Sequence, residues 1–406
     1  MIKEVEKDKT LLVKGPTRVN LIEGKVEVFG KIITPEEDVP EKEEEQNNDG
    51  LIVPSATMYP FYALEDSKFE IYSSNAEKSL KIIENNSIPE EWEDAKDTCI
   101  KIIKKSDEPI SIMVMGLSSG KTTLVKYLAN NFLKEGYNGA YLDSDLGQQF
   151  MFLPTTINIG RIEKTIIFSE DIEPERTQFL GSTFPKGTLK YIVSHSCKAL
   201  IRRYKEKYEE TNFIVIDTDS YIKTEAGMVY KNFFIETVDP DVLIVLHDDE
   251  VEELKEIEKE AKSKNRKIII IKEDNEYFLE KSKEDRRFLR QSQFAKVLEE
   301  FRKITIPLDE IEFIKYDYDK ENDELFEKRV IEEELVKLPY HYVIVALLDE
   351  DDELIKIALL FSINIEKDYI LLFSDLTYKE QIRIKKVLLG SLRLSTKGNH
   401  QGYLYL

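Results

Sequence analysis

Gly120-Lys121-Thr122-Thr123 is the stretch of this chain best equipped to act on a ligand. It ends the run Ile112-Met113-Val114-Met115-Gly116-Leu117-Ser118-Ser119 and opens a helical pattern. Leu124, Leu128 and Phe132 recur on one face of that pattern, with Lys126, Asn130, Asn131 and Lys134 off it. An apolar strand, a small-residue turn, Gly-Lys-Thr and a helix form the setting of a phosphate-binding loop. Glycines let several backbone N–H groups converge there, and the helix N-terminus adds partial positive charge. Gly116, Ser118, Ser119, Gly120, Lys121, Thr122 and Thr123 would then line a nucleotide site. Lys121 would reach the β- and γ-phosphates, and the Thr122 hydroxyl would sit on Mg²⁺. The usual pattern puts its first glycine where this chain has Met115. Either Met115 replaces it, or the loop begins one residue later at Gly116.

Three further clusters suit phosphate chemistry. Asp143-Ser144-Asp145-Leu146-Gly147-Gln148 follows the strand Gly139–Asp143, at the end of a sheet where α/β folds place ligands. One acid there could hold Mg²⁺, and the other, or the same one, could take a proton from an attacking hydroxyl. Asp217-Thr218-Asp219-Ser220-Tyr221 follows a second apolar strand. An Asp at that place often holds a Mg²⁺ shell through water, and Tyr221 could stack on a base. Arg286, Arg287 and Arg290 open a basic helix, with Arg286 and Arg290 four residues apart on one face. Arginines on a lid could clamp transferring phosphoryl oxygens. The plain alternatives are a capped polar loop, a tyrosine packed on the core and a solvated helix face.

The elements that must carry these residues read as three domains. Residues 1–75 alternate apolar and polar positions between short turns and are expected to form a small β domain. Its segment 36–50 is acidic and Asn-rich, most simply a mobile loop. Helical segments follow around 76–85 and 89–105. Residues 76–303 then alternate strands and helices, with strands at 110–115, 139–143, 213–217, 241–247 and 267–272. That pattern predicts an α/β domain built on a parallel sheet, closed by a lid helix over about 282–301. Residues 304–406 are strand-rich and predict a C-terminal β domain.

Composition narrows the function class. A chain of 406 residues with a net charge of −21 is a poor bulk ligand for nucleic acid. Charge is unevenly spread, however. Between Arg176 and Lys207 stand eight basic residues and a single acid, Glu206, which reads either as a solvated helix face or as a local contact for a polyanion. No run is apolar enough to span a bilayer, and the N-terminus lacks a secretory core, so a cytoplasmic protein with no membrane partner is expected. Cys99 and Cys197 read as buried thiols, and four scattered histidines argue against a histidine metal site. The guanine-reading Asn-Lys-x-Asp segment of GTPases is absent after the strand at 241–247.

In this order and spacing the segments resemble the polynucleotide 5′-hydroxyl kinases: the RNA kinases of pre-mRNA 3′-end cleavage and ribosomal RNA processing, and their archaeal relatives. Leu12-Val13-Lys14-Gly15-Pro16 and Glu27-Val28-Phe29-Gly30 are similar to that family's leading β domain. Ile88-Pro89-Glu90-Glu91-Trp92 is similar to its pre-loop helix, and Asp143 to Gln148 to its acidic motif. Phe179-Leu180-Gly181-Ser182-Thr183-Phe184-Pro185-Lys186-Gly187 resembles the segment that clasps the acceptor strand. Tyr221 stands where most members carry Trp, and Arg286 and Arg290 match the lid arginines. The resemblance implies transfer of the γ-phosphate of ATP, or of another nucleoside triphosphate, to the 5′-hydroxyl of RNA or DNA. It implies Lys121, Asp145, Arg286 and Arg290 as catalytic residues, with Asp145 as the base. Thr122 with Asp143 or Asp145 would hold Mg²⁺, and Gln148, Thr183, Lys186 and Tyr221 would touch the acceptor. RNA-processing proteins are the implied partners. An ATP-bound scaffold with little turnover is the alternative.

Overall fold

The computed structural model describes residues 1–35, 50–117, 120–272, 279, 281–308, 311–335 and 340–404. The loop expected at 36–50 falls almost wholly outside the described residues, as do Ser118 and Ser119.

The N-terminal region is two small sheets packed face to face. One orders Ile2–Val5, Ser67–Tyr72, Thr17–Glu23 and Leu51–Val53. The other orders Lys31–Ile33, Val26–Val28, Met58–Ala63, Thr10–Lys14 and Leu80–Ile83. Alternating side chains, among them Val13, Val19, Val28, Phe61 and Phe69, fill the space between them. The helix expected over 76–85 is only Ala76–Ser79. The next four residues leave it as a strand that pairs with Thr10–Lys14. Leu80 and Ile82 pack on this core, and tertiary burial overrides a weak helical preference. The first sheet pair therefore draws on residues beyond 75.

The central sheet orders Arg176–Phe179, Thr156–Ile162, Gly139–Asp143, Phe213–Asp217, Ile110–Met115, Val242–His247 and Ile268–Lys272. The last five run parallel, as expected from their continuous apolar runs. The first two do not fit the expectation of a parallel sheet. Thr156–Ile162 is antiparallel to both its neighbours, so the sheet is mixed. Helices cover both faces, and the phosphate-loop helix Lys121–Lys134 lies against one of them.

That helix is buried on nearly all sides. Leu124, Leu128 and Phe132 face the sheet, as expected. Lys126, Asn130 and Asn131, expected off the buried face, are buried too, because the N-terminal β domain covers them. Asn130 Nδ2 donates to Phe29 O (2.8 Å) and Ile166 O (2.9 Å), and its Oδ1 accepts from the Ile166 N–H (2.6 Å). Lys126 lies among the rings of Phe29, Tyr59 and Phe150, and donates to Ile167 O. Polar side chains thus sit at a dry domain junction, each with a partner.

The C-terminal region is one eight-stranded sheet in which Lys386–Leu394 lies between Val343–Leu348 and Glu312–Asp319 and also carries His400–Tyr403. Val343–Leu348 is buried throughout. One face of this sheet closes on its own core, and the other takes Phe294 and Leu298 of the lid helix Lys283–Leu298, with Leu153 and Phe179. No helix among the described residues is long and apolar enough to cross a membrane.

Candidate active site

Lys121, Thr122, Asp143, Asp145, Asp217 and Tyr221 sit at the carboxyl end of the central parallel strands. Ile110–Met115 is buried along its length, and Met115, its last residue, pairs with Val245 inside the core. The turn begins at Gly116. A Cβ there would lie 2.8 Å from Leu246 Cβ and 3.2 Å from Leu246 O, so the close approach of the loop to its neighbour needs glycine at 116. Gly120 has φ +101° and caps the helix, a conformation that also favours glycine.

Lys121 is 5% exposed, and its Nζ donates to Ser220 Oγ (2.6 Å). Burial lowers its pKa and the buried Lys231 adds to the shift. Asp217, Asp145 and Asp219 oppose it. The Thr122 hydroxyl donates to Asp217 Oδ2 (2.6 Å), which also accepts from the Tyr141 hydroxyl (3.0 Å). Thr122 was expected beside Asp143 or Asp145; its bonded partner is instead Asp217, brought next to the loop by the register of Val114 with Asp217.

Asp143 has a different task. Its carboxylate accepts the N–H of Asp145 (3.1 Å) and of Phe150 (2.6 Å), which folds the loop that follows. Asp145 Oδ1 accepts the N–H of Gly147 (2.8 Å) and Gln148 (2.9 Å) and holds a tight turn. Burial raises the pKa of Asp143 well above its ordinary value, and the nearby charge of Asp217 adds to the shift. Burial likewise raises that of Asp217, with the Thr122 hydroxyl and Lys121 opposing. Among the described residues, Asp217 Oδ1 is buried without a hydrogen-bond partner. An orphaned carboxylate oxygen beside a loop threonine, in a pocket of acids, is the donor chemistry of a hard divalent cation such as Mg²⁺.

The acceptor-side residues meet from three parts of the chain. A Cβ on Gly147 would lie 3.0 Å from Thr183 O, 3.5 Å from Asp145 Oδ1 and 3.8 Å from an Arg290 guanidinium nitrogen. One glycine therefore marks where acidic loop, clasp and lid converge. Gln148 does not point away to an acceptor. Its Nε2 donates to Gly147 O (2.8 Å) and to Arg286 O (3.2 Å), tying the acidic loop to the lid helix. Gln293 Nε2 adds a second tie to Gln149 O (2.7 Å). Thr183 Oγ1 bonds the Tyr403 hydroxyl (2.6 Å). Lys186 is exposed beside it. Tyr221 is half-buried, anchored by its N–H to Asp219 Oδ1 (2.8 Å), and its ring meets Phe184 edge-on at 4.5 Å. Asp219 is held in turn by the Tyr230 hydroxyl and by buried Lys231 (3.0 Å).

The basic stretch from Arg176 to Lys207 is not one surface. Most of it is the helix Leu189–Lys207, about 28 Å long at 1.5 Å per residue. Its far end carries Lys205 to Pro109 O, at the amino end of the strand whose carboxyl end leads into the phosphate loop. Arg176 and Lys207 pair with Glu353 and Glu175. Only its first residues lie near the clasp.

Sequence reasoning missed several residues. Ser220 lies within the Asp217–Tyr221 segment but carried no role there, and Lys231 gave no motif. Lys281, just before the lid helix, has its pKa lowered by burial and by Arg286, with Asp145 and Asp217 opposing. Tyr403 reaches the clasp from 220 positions away, and no local pattern could signal it.

Residues 116–300 match the family model of the mRNA cleavage and polyadenylation factor CLP1 P-loop. The chain is 25% identical over 344 residues to a polyribonucleotide 5′-hydroxyl-kinase of Methanocaldococcus jannaschii, covering 75% of this chain and 92% of that protein. The chain is similar to the polynucleotide 5′-kinases and CLP1 proteins. A polyribonucleotide 5′-hydroxyl-kinase of Pyrococcus furiosus is 28% identical over 225 residues, 55% of this chain and 59% of that protein. The fold matches that of Clp1p solved in complex with Pcf11p, with TM-score 0.67 and 16% identity over 97% of each chain. The match to this P-loop model supports nucleotide binding at the phosphate loop.

Proposed function

We propose that this protein transfers the γ-phosphoryl group of ATP to the 5′-hydroxyl end of RNA or DNA. Phosphoryl transfer asks a protein mainly for positioning and charge neutralisation. The observation that carries the reading is the convergence at Gly147 of the acidic loop, the clasp and the lid arginine Arg290, above the Thr122–Asp217 pair. Lys121 and the loop amides hold the β- and γ-phosphates. Thr122 and Asp217 would hold Mg²⁺, which would neutralise phosphate charge. Asp145 receives the proton of the acceptor hydroxyl, with Asp143 fixing its loop. Arg286 and Arg290 close over the transferring group. Thr183, Lys186 and Tyr221 guide the acceptor strand. The kinase names of the archaeal relatives support this activity, and RNA as acceptor. Clp1p was solved with a protein partner, which supports a protein-binding role for the same fold.

The test is transfer from γ-labelled ATP with Mg²⁺ to a 5′-hydroxyl oligonucleotide, RNA and DNA in parallel. Lys121→Ala should abolish the labelled product. Substantial turnover by that variant would sink the assignment. ATP binding without product in the wild type would favour the scaffold reading.

A further inference from the structure

The acceptor side of the site is held by the far end of the chain. Lys386–Leu394 and His400–Tyr403 form a hairpin, with Leu392 opposite Tyr403 and Leu394 opposite His400. Gly181 O accepts the N–H groups of Ser391 (2.8 Å) and Leu392 (2.9 Å). Thr183, two residues on, bonds the Tyr403 hydroxyl. The turn of the hairpin lies on the lid helix. A Cβ on Gly398 would sit 2.8 Å from Ala295 N and 3.0 Å from Gln291 O. The hairpin thus touches the clasp along its strands and the lid at its turn.

Between those contacts lies a cluster of cations. The His400 and Tyr403 rings are 5.0 Å apart. Burial lowers the pKa of His400, and the charges of Arg290 and Arg287 lower it further. Arg290, half-buried, is stabilised by Tyr403 and Asp145 and opposed by Arg286 and Arg287. Among the described residues none of the three arginines makes an ion pair. In a protein of net charge −21, three arginines and an imidazole gathered with so little acid around them need an anion from outside. The transferring phosphoryl group accounts for two of them, Arg286 and Arg290. Arg287, His400 and Tyr403 remain, and Tyr403 is bonded to Thr183.

We propose that Arg287, His400 and Tyr403 form a subsite for an anionic phosphodiester, the one that follows the accepting nucleoside. The proposal rests on the kinase reading above. Arg287 supplies charge and His400 a ring N–H. The Tyr403 hydroxyl, bonded to Thr183, ties the subsite to the clasp. The consequence is selectivity for strands over free nucleosides, with no base read.

The test compares two 5′-hydroxyl dinucleotides, one with a natural phosphodiester and one with an uncharged methylphosphonate. The wild type should favour the charged linkage by about tenfold in kcat/KM, the worth of one charge-assisted hydrogen bond. Arg287→Gln and His400→Ala should each lose that factor on the charged acceptor and leave the neutral one unchanged. A wild type that treats both alike overturns the subsite, and so do variants that slow both equally. If no dinucleotide is phosphorylated, the kinase reading fails instead. Anisotropy with 3′-fluorescein forms of the same pair then decides the subsite, since equal affinities would refute it and tighter binding of the charged form would uphold it.

Discussion

Asp217→Asn should make the nucleotide-free protein more stable and the enzyme inactive. The side chain is wholly buried, with Oδ2 shared by two hydroxyls and Oδ1 without a partner among the described residues. Removing a buried charge that Lys121 and two hydroxyls only partly compensate gains about 3 kcal/mol. Weaker hydroxyl bonds to an amide oxygen offset about 1–2 kcal/mol of that. The net is about 1–2 kcal/mol, or about 3–6 °C for a domain of this size. The pH dependence has a fixed sign. Burial raises the folded-state pKa of Asp217 above the unfolded value. The folded state therefore binds more protons between the two values, and stability falls as pH rises through that window. The advantage of Asn should be larger at pH 8 than at pH 5. Mg²⁺ and ATP should reverse the order, because ligand at one hundred times its Kd adds about 2.7 kcal/mol to the wild type. The variant, lacking the metal carboxylate, gains little. Thermal melts at both pH values, with and without Mg²⁺ and ATP, read all of this, and transfer should fall by about 10²-fold or more. A variant that melts below the wild type without nucleotide, or one stabilised equally by it, would refute the reasoning.

Two further outcomes follow from the acceptor side. Gly181→Ala places a side chain at φ +66° and drives it into Gly390; the strain of about 1–3 kcal/mol should displace the clasp, raising the KM for oligonucleotide with the KM for ATP unchanged, as steady-state kinetics would show. Phe184→Ala removes the exposed ring that braces Tyr221, and should weaken single-strand binding by about 1 kcal/mol, roughly fivefold, measured by anisotropy; unchanged affinity would argue that the ring only packs the loop.

The sequence disclosed most where chemistry and local structure coincide. The phosphate loop, the acidic turn and the lid arginines were legible because each follows a strand or opens a helix in a fixed way, and all six resemblance segments fell in one fold. What stayed hidden depends on contacts distant in the chain. Asp217 and Thr122 are 95 positions apart, and only sheet register makes them partners. Lys126 and Asn130 read as a solvated helix face because nothing local tells that another domain covers it. The two antiparallel strands beyond Gly139–Asp143 lie in a stretch rich in polar and turn residues, Thr156, Asn158, Gly160 and Arg161 among them, where the apolar run that marks a parallel strand is broken. The basic stretch misled by adjacency: charges close in sequence spread along a helix that crosses the whole sheet.

The back-to-back glycines carry a last consequence. A Cβ on Gly390 would lie 2.8 Å from the Gly181 Cα, and one on Gly181 would lie closer still to Gly390. Backbone meets backbone there, with no side chain between to absorb a change. A phosphate-loop domain cut from the chain near residue 303 would keep its nucleotide pocket and lose the surface that shapes its acceptor clasp. No smaller autonomous kinase is therefore to be had by trimming this chain. Homologous exchange of C-terminal domains should succeed only when both glycines travel together.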